Sequence, residues 1–252
     1  MSGHSKWATI KHKKGAADAK RGRVFSRLAK EIMVVAKQGG DPNSNASLRN
    51  LLSKAKSVNM PNDNIERAIK KGTGELGGAV FEEVSYEGYG AGGVGMIVKG
   101  LTDNKNRAAA EVRNIFKKNG SDFASVGAVS RNFERKGQII VDAEGVDEDR
   151  IMEIALEAGA DDVVNNDGSF EILCQPNTFA DICEALEKAG IKTVSAESNG
   201  LLPLTTVAVK DIAVARSVNK FVNMLEEYDD VQNVYHNMEV DDSIAEQLAE
   251  EE

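Results

Sequence analysis

The sequence predicts an α+β protein: an N-terminal three-helix domain followed by two α/β (ferredoxin-like) domains, one inserted in the other. Three observations carry that expectation. Apolar residues recur at three and four up to Lys71 and switch to alternation from Phe81. Residues 137–203 run through a complete βαββαβ order. A strand–helix–strand run after Leu204 supplies partners for the open strand edges that residues 81–134 would otherwise leave, which favours the insertion over a merely sequential third α+β domain.

In the first unit, Val24, Phe25, Leu28, Ile32 and Val35 mark a helix over 17–38, stopped by Gly39-Gly40. Asp41-Pro42 reads as the N-cap and first residue of a second helix, which reaches Val58 with Leu48, Leu51, Leu52 and Ala55 on one face. Met60-Pro61 breaks it. A short third helix, Asn64 to Lys71, is ended by Gly72. Residues 73–80, TGELGGAV, form a glycine-rich linker, so the first unit is 1–78.

The second unit is expected over 79–134 together with 204–240. Strands at Val84–Tyr86 and Val94–Val98 flank a glycine-rich turn, a helix runs from Asn104 to Lys118, and a strand covers Ala128–Phe133. Between these halves, 135–203 reads as strand (Gln138–Val141), helix (Asp147–Ala158), a hairpin turning at Asp167-Gly168, helix (Phe179–Ala189) and strand (Thr193–Glu197). After Leu204 come a strand at Thr206–Val209, a helix capped by Asp211, and a strand at Val231–Tyr235. Residues 241–252 read as a frayed acidic tail.

Charge points to function. Residues 1–72 hold 16 Lys and Arg against 5 Asp and Glu, a balance of +11, while the rest of the chain stands at −20, so the net −9 conceals a basic block on an acidic body. Such a split fits a protein of which one part approaches a polyanion. The competing readings are that the basic block docks on the acidic body and cancels it, that it only solubilises, or that the acidic units serve as a protein-interaction module. Lys6, Lys11, Lys13, Lys14, Lys20, Arg21, Arg23 and Arg27 lie close together among small residues, with His12 beside them. These are phosphate-contacting residue types, and small neighbours let the backbone approach. Arg67, Lys70 and Lys71 extend the set onto the third helix. Lys105 and Arg107 place cations in the first turn of a later helix, where they either face a docked anion or are solvated charges at an ordinary cap. Trp7, the one tryptophan, either stacks on a base or anchors the tail on the bundle.

Enzyme signatures fail on context. G-x-G-x-x-G occurs at Gly72/Gly74/Gly77 and at Gly88/Gly90/Gly93, but neither copy lies between a strand and a following helix. His4, His12 and His236 are scattered, and Cys174 and Cys183 form no metal or disulfide framework. The expectation is therefore no catalytic residue, no cofactor, no metal and no small-molecule substrate. With no membrane-length apolar run and no secretory signal, a cytoplasmic protein is expected.

Several motifs are familiar. Gly3-His-Ser-Lys-Trp7, Ile10-Lys-His-Lys-Lys14, Arg21-Gly-Arg23, Asn59-Met-Pro61 with Asn64–Ile69, Tyr86-Glu-Gly-Tyr-Gly90, and Leu101-Thr-Asp-Asn104 with Asn106-Arg107 closely resemble the YebC/PmpR family. The resemblance covers essentially the whole chain. It implies three domains and a non-enzymatic regulator of gene expression. Bacterial members are described as DNA-binding transcriptional regulators, and mitochondrial relatives, and by extension bacterial ones, as ribosome-associated translation factors, including at proline-rich stalls. Nucleic acid, either DNA or ribosomal RNA, is thus the implied partner, and the ribosome a possible one. The chain departs from the family pattern at Ala91, where proline is usual, and at Ser121–Ala128, which replaces a more glycine-rich loop.

Overall fold

A computed structural model describes residues 17–77, 80–166 and 168–250. The fold class is the expected one: a helical region followed by mixed α/β units with antiparallel sheets. The helical region holds α1 (Ala17–Ala36), α2 (Ala46–Ser57) and α3 (Asn62–Gly72). Leu28, Ile32, Leu48, Ala55, Ile65 and Ala68, the positions their helical spacing marks, form its core together with Met60 from the connection between α2 and α3.

Helix α2 starts four residues later than Asp41-Pro42 suggests. Asp41 instead closes a turn, its carboxylate accepting from the Asn43 N–H at 2.9 Å. Asn45 is the true cap: its side chain accepts from Leu48 N–H at 3.0 Å and donates to the Val35 and Gly39 carbonyls at the end of α1. Helix α3 begins two residues before Asn64, directly after Pro61.

Strands β1 (Glu82–Tyr89) and β2 (Gly95–Thr102) pair antiparallel and are followed by α4 (Lys105–Lys118), which Asn104 caps. Strand β3 (Phe133–Asp142), α5 (Glu148–Glu157), β4 (Ala160–Asn165), β5 (Ser169–Cys174), α6 (Phe179–Lys188) and β6 (Thr193–Pro203) give a four-stranded sheet in the order β4-β5-β3-β6. Its core joins Ile139, Val141, Phe170 and Ile172 to Ile151, Ile182 and Leu186 of the two helices. Cys174 and the half-buried Cys183 sit in or against this core, and burial pushes both thiols up. The Asp167 half of the expected hairpin turn lies outside the described residues.

The chain continues through β7 (Val207–Ala208), α7 (Ile212–Glu226), β8 (Val231–His236), β9 (Met238–Glu239) and α8 (Asp242–Glu250). Strand β8 pairs with β2, and β7 pairs parallel with β9. Met96 and Val98 of β2 pack on Val112 and Phe116 of α4 and on Phe221 and Leu225 of α7. Ile97, on the opposite face, meets Val129, Phe133 and Leu201. Strand β2 is therefore buried on both sides.

Two expectations need correction. Of the strand expected over 128–133, residues 128–132 form none. The Glu87 carboxylate accepts from the N–H groups of Gly127, Val129 and Ser130 at 3.0, 2.7 and 3.0 Å and from the Ser130 hydroxyl at 2.8 Å. These interactions fold the loop around one buried anion, and a ladder begins only at Phe133. Burial pushes the Glu87 carboxyl up, but those N–H groups outweigh it and hold it below the usual range. The described part of the acidic tail, to Glu250, is not frayed either: Ile244 and Leu248 of α8 pack against Val94, Val209, Ala215 and Val218, and Asp241 accepts from Ile244 N–H at 3.0 Å.

Gly88, within the second glycine-rich motif, serves packing. A Cβ there would meet the Phe116 ring at 2.2 Å. Gly88→Ala should therefore cost about 1–3 kcal/mol by overpacking, read from the midpoint of urea denaturation. A fragment of residues 135–203 is expected to unfold cooperatively on its own, since its sheet pairs internally and two helices cover one face; a fragment without a denaturation transition contradicts this.

Candidate nucleic-acid interface

The candidate cations fall into three groups. Lys6, Trp7, Lys11, His12, Lys13 and Lys14 lie outside the described residues. Lys20 and Arg21 belong to the first turns of α1, with side chains likewise outside. The rest have definite surroundings.

Arg23 and Arg27 of α1 face the chain's own acidic segment from the end of α7 to the start of β8, Glu226-Glu227-Tyr228-Asp229-Asp230. Arg23 lies 3.8 Å from Glu227, and the Arg27 guanidinium donates to the Glu226 carbonyl. Burial pushes the Arg27 guanidinium down, against the opposing pull of Glu226. Lys30, which the sequence does not single out, completes the row: its ammonium donates to the Asp229 carbonyl at 2.7 Å and to the Asp230 carboxylate at 2.8 Å. These three residues are spaced four and three apart, so they form one stripe along α1.

Asp230 gathers more than Lys30. It accepts from the Arg107 guanidinium at 2.9 Å, the Thr102 hydroxyl at 2.9 Å and the Tyr228 hydroxyl at 3.0 Å. Burial pushes its carboxyl up, but the hydrogen bonds from Lys30, Arg107 and Thr102 outweigh that and bring it to about 2. Arg107 also holds Asp103 at 2.6 Å, and Lys105 holds Glu82 at 2.5 Å. The anion that the first turn of α4 invites is thus supplied from within the chain.

Arg67, Lys70 and Lys71 remain exposed on α3. Arg67 and Lys71 border a cleft of about 200 Å³ between α1 and α3, floored by Phe25, Ala29, Met33, Met60 and Ala68. This is smaller than the pockets that bury drug-sized ligands. Sequence reasoning passed over Arg49, Lys54 and Lys56 of α2, which are also exposed. Their signal was present: Arg49 and Lys56 are seven apart and lie off the Leu48–Leu52–Ala55 face. The turn joining α2 to α3 is short, with Asn59 at φ 58°. The two helices therefore present exposed cations on a compact frame in which the α1 stripe is already engaged.

Among the described residues, no group of three or more His, Cys, Asp or Glu side chains could hold a metal ion, and no helix is long and apolar enough to cross a membrane.

Comparison with known proteins bears on the whole chain. Residues 5–75 match the family model described as TACO1/YebC protein N-terminal domain, and residues 81–238 match TACO1/YebC second and third domain. A protein of Treponema denticola, named "Probable transcriptional regulatory protein", is 55% identical over 241 residues, covering 95% of this chain and 97% of its own. A Desulfotalea psychrophila protein also named as a probable transcriptional regulatory protein is 51% identical over 251 residues, covering 99% of this chain and 100% of its own. The crystal structure of a conserved hypothetical protein from Aquifex aeolicus superimposes with a TM-score of 0.84 at 46% identity, covering 92% of this chain and 96% of its own.

Asp230→Ala should cost about 3–5 kcal/mol, because Lys30, with only 14% of its side chain exposed, loses its carboxylate partner. The pH dependence has a definite sign. The native carboxyl lies below its unfolded value near 3.9, so its stabilisation is complete above about pH 4 and lost as pH falls toward 2. Asp230→Asn should flatten the acid limb of a stability–pH curve in that window.

Proposed function

This chain belongs to the TACO1/YebC family, and from that we infer that it is a non-enzymatic regulator of gene expression that binds nucleic acid through its basic N-terminal block. The finer reading is a DNA-binding transcriptional regulator acting in the cytoplasm, in keeping with the names of its relatives. The observation that carries it is the charge division: +11 within residues 1–72, with Arg49, Lys54, Lys56, Arg67, Lys70 and Lys71 exposed on α2 and α3. The basic tail residues Lys6, Lys11, His12, Lys13 and Lys14 add phosphate-contacting groups ahead of α1.

The contacts would be made mainly to the backbone. Helix α3 has eleven residues and offers Asn62, Asn64 and Arg67 as the side chains able to read base edges. That is a small reading head, so shape and phosphate spacing dominate the recognition. The same observation favours a second reading, in which structured RNA, including ribosomal RNA in a translation role, is the ligand. The two readings share a surface and differ in what covers it.

Salt dependence tests the surface. Arg67→Ala/Lys70→Ala/Lys71→Ala should flatten the plot of log affinity against log salt by roughly two to three units, and weaken scrambled and native duplexes alike. An unchanged slope would remove α3 from the interface. Trp7→Ala tests the ligand: if the indole stacks on unpaired bases, looped RNA loses about 1–3 kcal/mol while duplex DNA is nearly unaffected. Crosslinking in cells, followed by sequencing of the attached strand, decides between DNA and RNA directly.

A further inference from the structure

We propose that the acidic turn Glu226–Asp230 is an internal competitor for the nucleic-acid backbone. Docking of the helical bundle on the α/β body and binding of a phosphate chain along α1 then exclude one another. The inference rests on the nucleic-acid reading above and adds its regulation.

The turn carries four carboxylates within five residues, and it meets the stripe of Arg23, Arg27 and Lys30 through the carboxylates of Glu227 and Asp230 and the carbonyls of Glu226 and Asp229. A phosphate chain offers the same chemistry, closely spaced anionic oxygens that accept from guanidinium and ammonium groups. The bundle is held there by polar contacts. Lys37 adds a hydrogen bond to the Phe81 carbonyl at 3.0 Å, and Lys30 lies 5.5 Å over the Phe81 ring. Leu28, Ile32, Leu48 and Ile65 pack within the bundle's own core instead. Polar contacts between domains permit relative motion, and exposed ion pairs such as Arg23–Glu227, 35% and 70% exposed, hold weakly.

Exchange also leaves neither side stranded. When Lys30 departs, Asp230 keeps Arg107, Thr102 and Tyr228. The released cations pass to phosphates, and the nucleic acid gives up counterions in return. Opening therefore replaces one set of charge-assisted hydrogen bonds with another.

The test uses the full chain in two arms. In the first, dyes on Ser53→Cys of α2 and Glu187→Cys of α6, in a Cys183→Ser background, report the distance between bundle and body. Energy transfer should change saturably on titration with a 20-nucleotide RNA or a 20-base-pair DNA, with the midpoint that anisotropy gives for binding. In the second, Glu227→Gln/Asp229→Asn removes charge from the turn while leaving Asp230 and its partners in place. Affinity at low salt should rise about fivefold, the value of one exposed ion pair. Glu153→Gln/Glu157→Gln, the same charge change on α5, should shift it less than twofold. Tight binding with constant energy transfer, or equal affinities for the two double variants, overturns the competition and leaves the nucleic-acid reading intact. Absence of binding by every protein overturns both, while a salt-driven change in energy transfer would still report the internal contact.

Discussion

Asp230 stands where the helical bundle, β2, α4 and the end of α7 meet, and its carboxylate is the constraint the surrounding structure satisfies. A buried carboxylate is costly unless its oxygens are fully engaged. Here the donors come from four places: Lys30 on α1, Thr102 at the end of β2, Arg107 in the first turn of α4, and Tyr228 in the same turn as Asp230. The backbone is committed as well. Asp230 accepts from Leu101 N–H at 2.8 Å through its carbonyl, and a Cβ at residue 100 would come within 2.6 Å of that oxygen, so the position needs glycine. The register of β8 on β2 shifts at this point, between Lys99 and Gly100.

A second buried carboxylate does similar work at the other end of the sheet. Glu87 lies in the Tyr86–Gly90 motif, and its oxygens organise the loop over 127–130. That loop carries Val129 onto Ile97, which links the three-stranded sheet to the start of β3. The motif that imitates a nucleotide-binding fingerprint thus has a mechanical account: Gly88 makes room for Phe116, and Glu87 holds a loop.

What was legible in the sequence was local. Helical spacing marked Leu28, Ile32, Leu48 and Ala55 as core, alternation marked the strands, and Asn104, Asp147 and Asp211 announced the helix starts they cap. Errors arose where a distant group overrode a local signal. Asn45 displaces Asp41 as a cap because it also ties α2 to the end of α1. Residues 128–130 have strand-like composition, but their N–H groups belong to Glu87, some forty positions earlier. The candidate site shows the same limit. Lysine and arginine density revealed the basic block, yet nothing near Arg23 or Arg27 in the chain announces the turn at 226–230 that engages them. The exposed cations of α2 were readable from spacing and were overshadowed by the denser tail.

The pairing of β2 with β8, which sets Met96 opposite His236, has a temporal side. Chains are made from the N-terminus at roughly 5–20 residues per second, and domains fold as they emerge. The helical bundle can close early, since its contacts are local, and the four-stranded sheet can close once Pro203 is out. The three-stranded sheet must wait for β8, and the acidic turn emerges just ahead of that strand. Between synthesis of α1 and synthesis of its internal counter-charge, about 10–40 s pass on that rate. Throughout that interval each nascent copy carries Arg23, Arg27 and Lys30 without the carboxylates and carbonyls of the turn that engage them in the finished molecule.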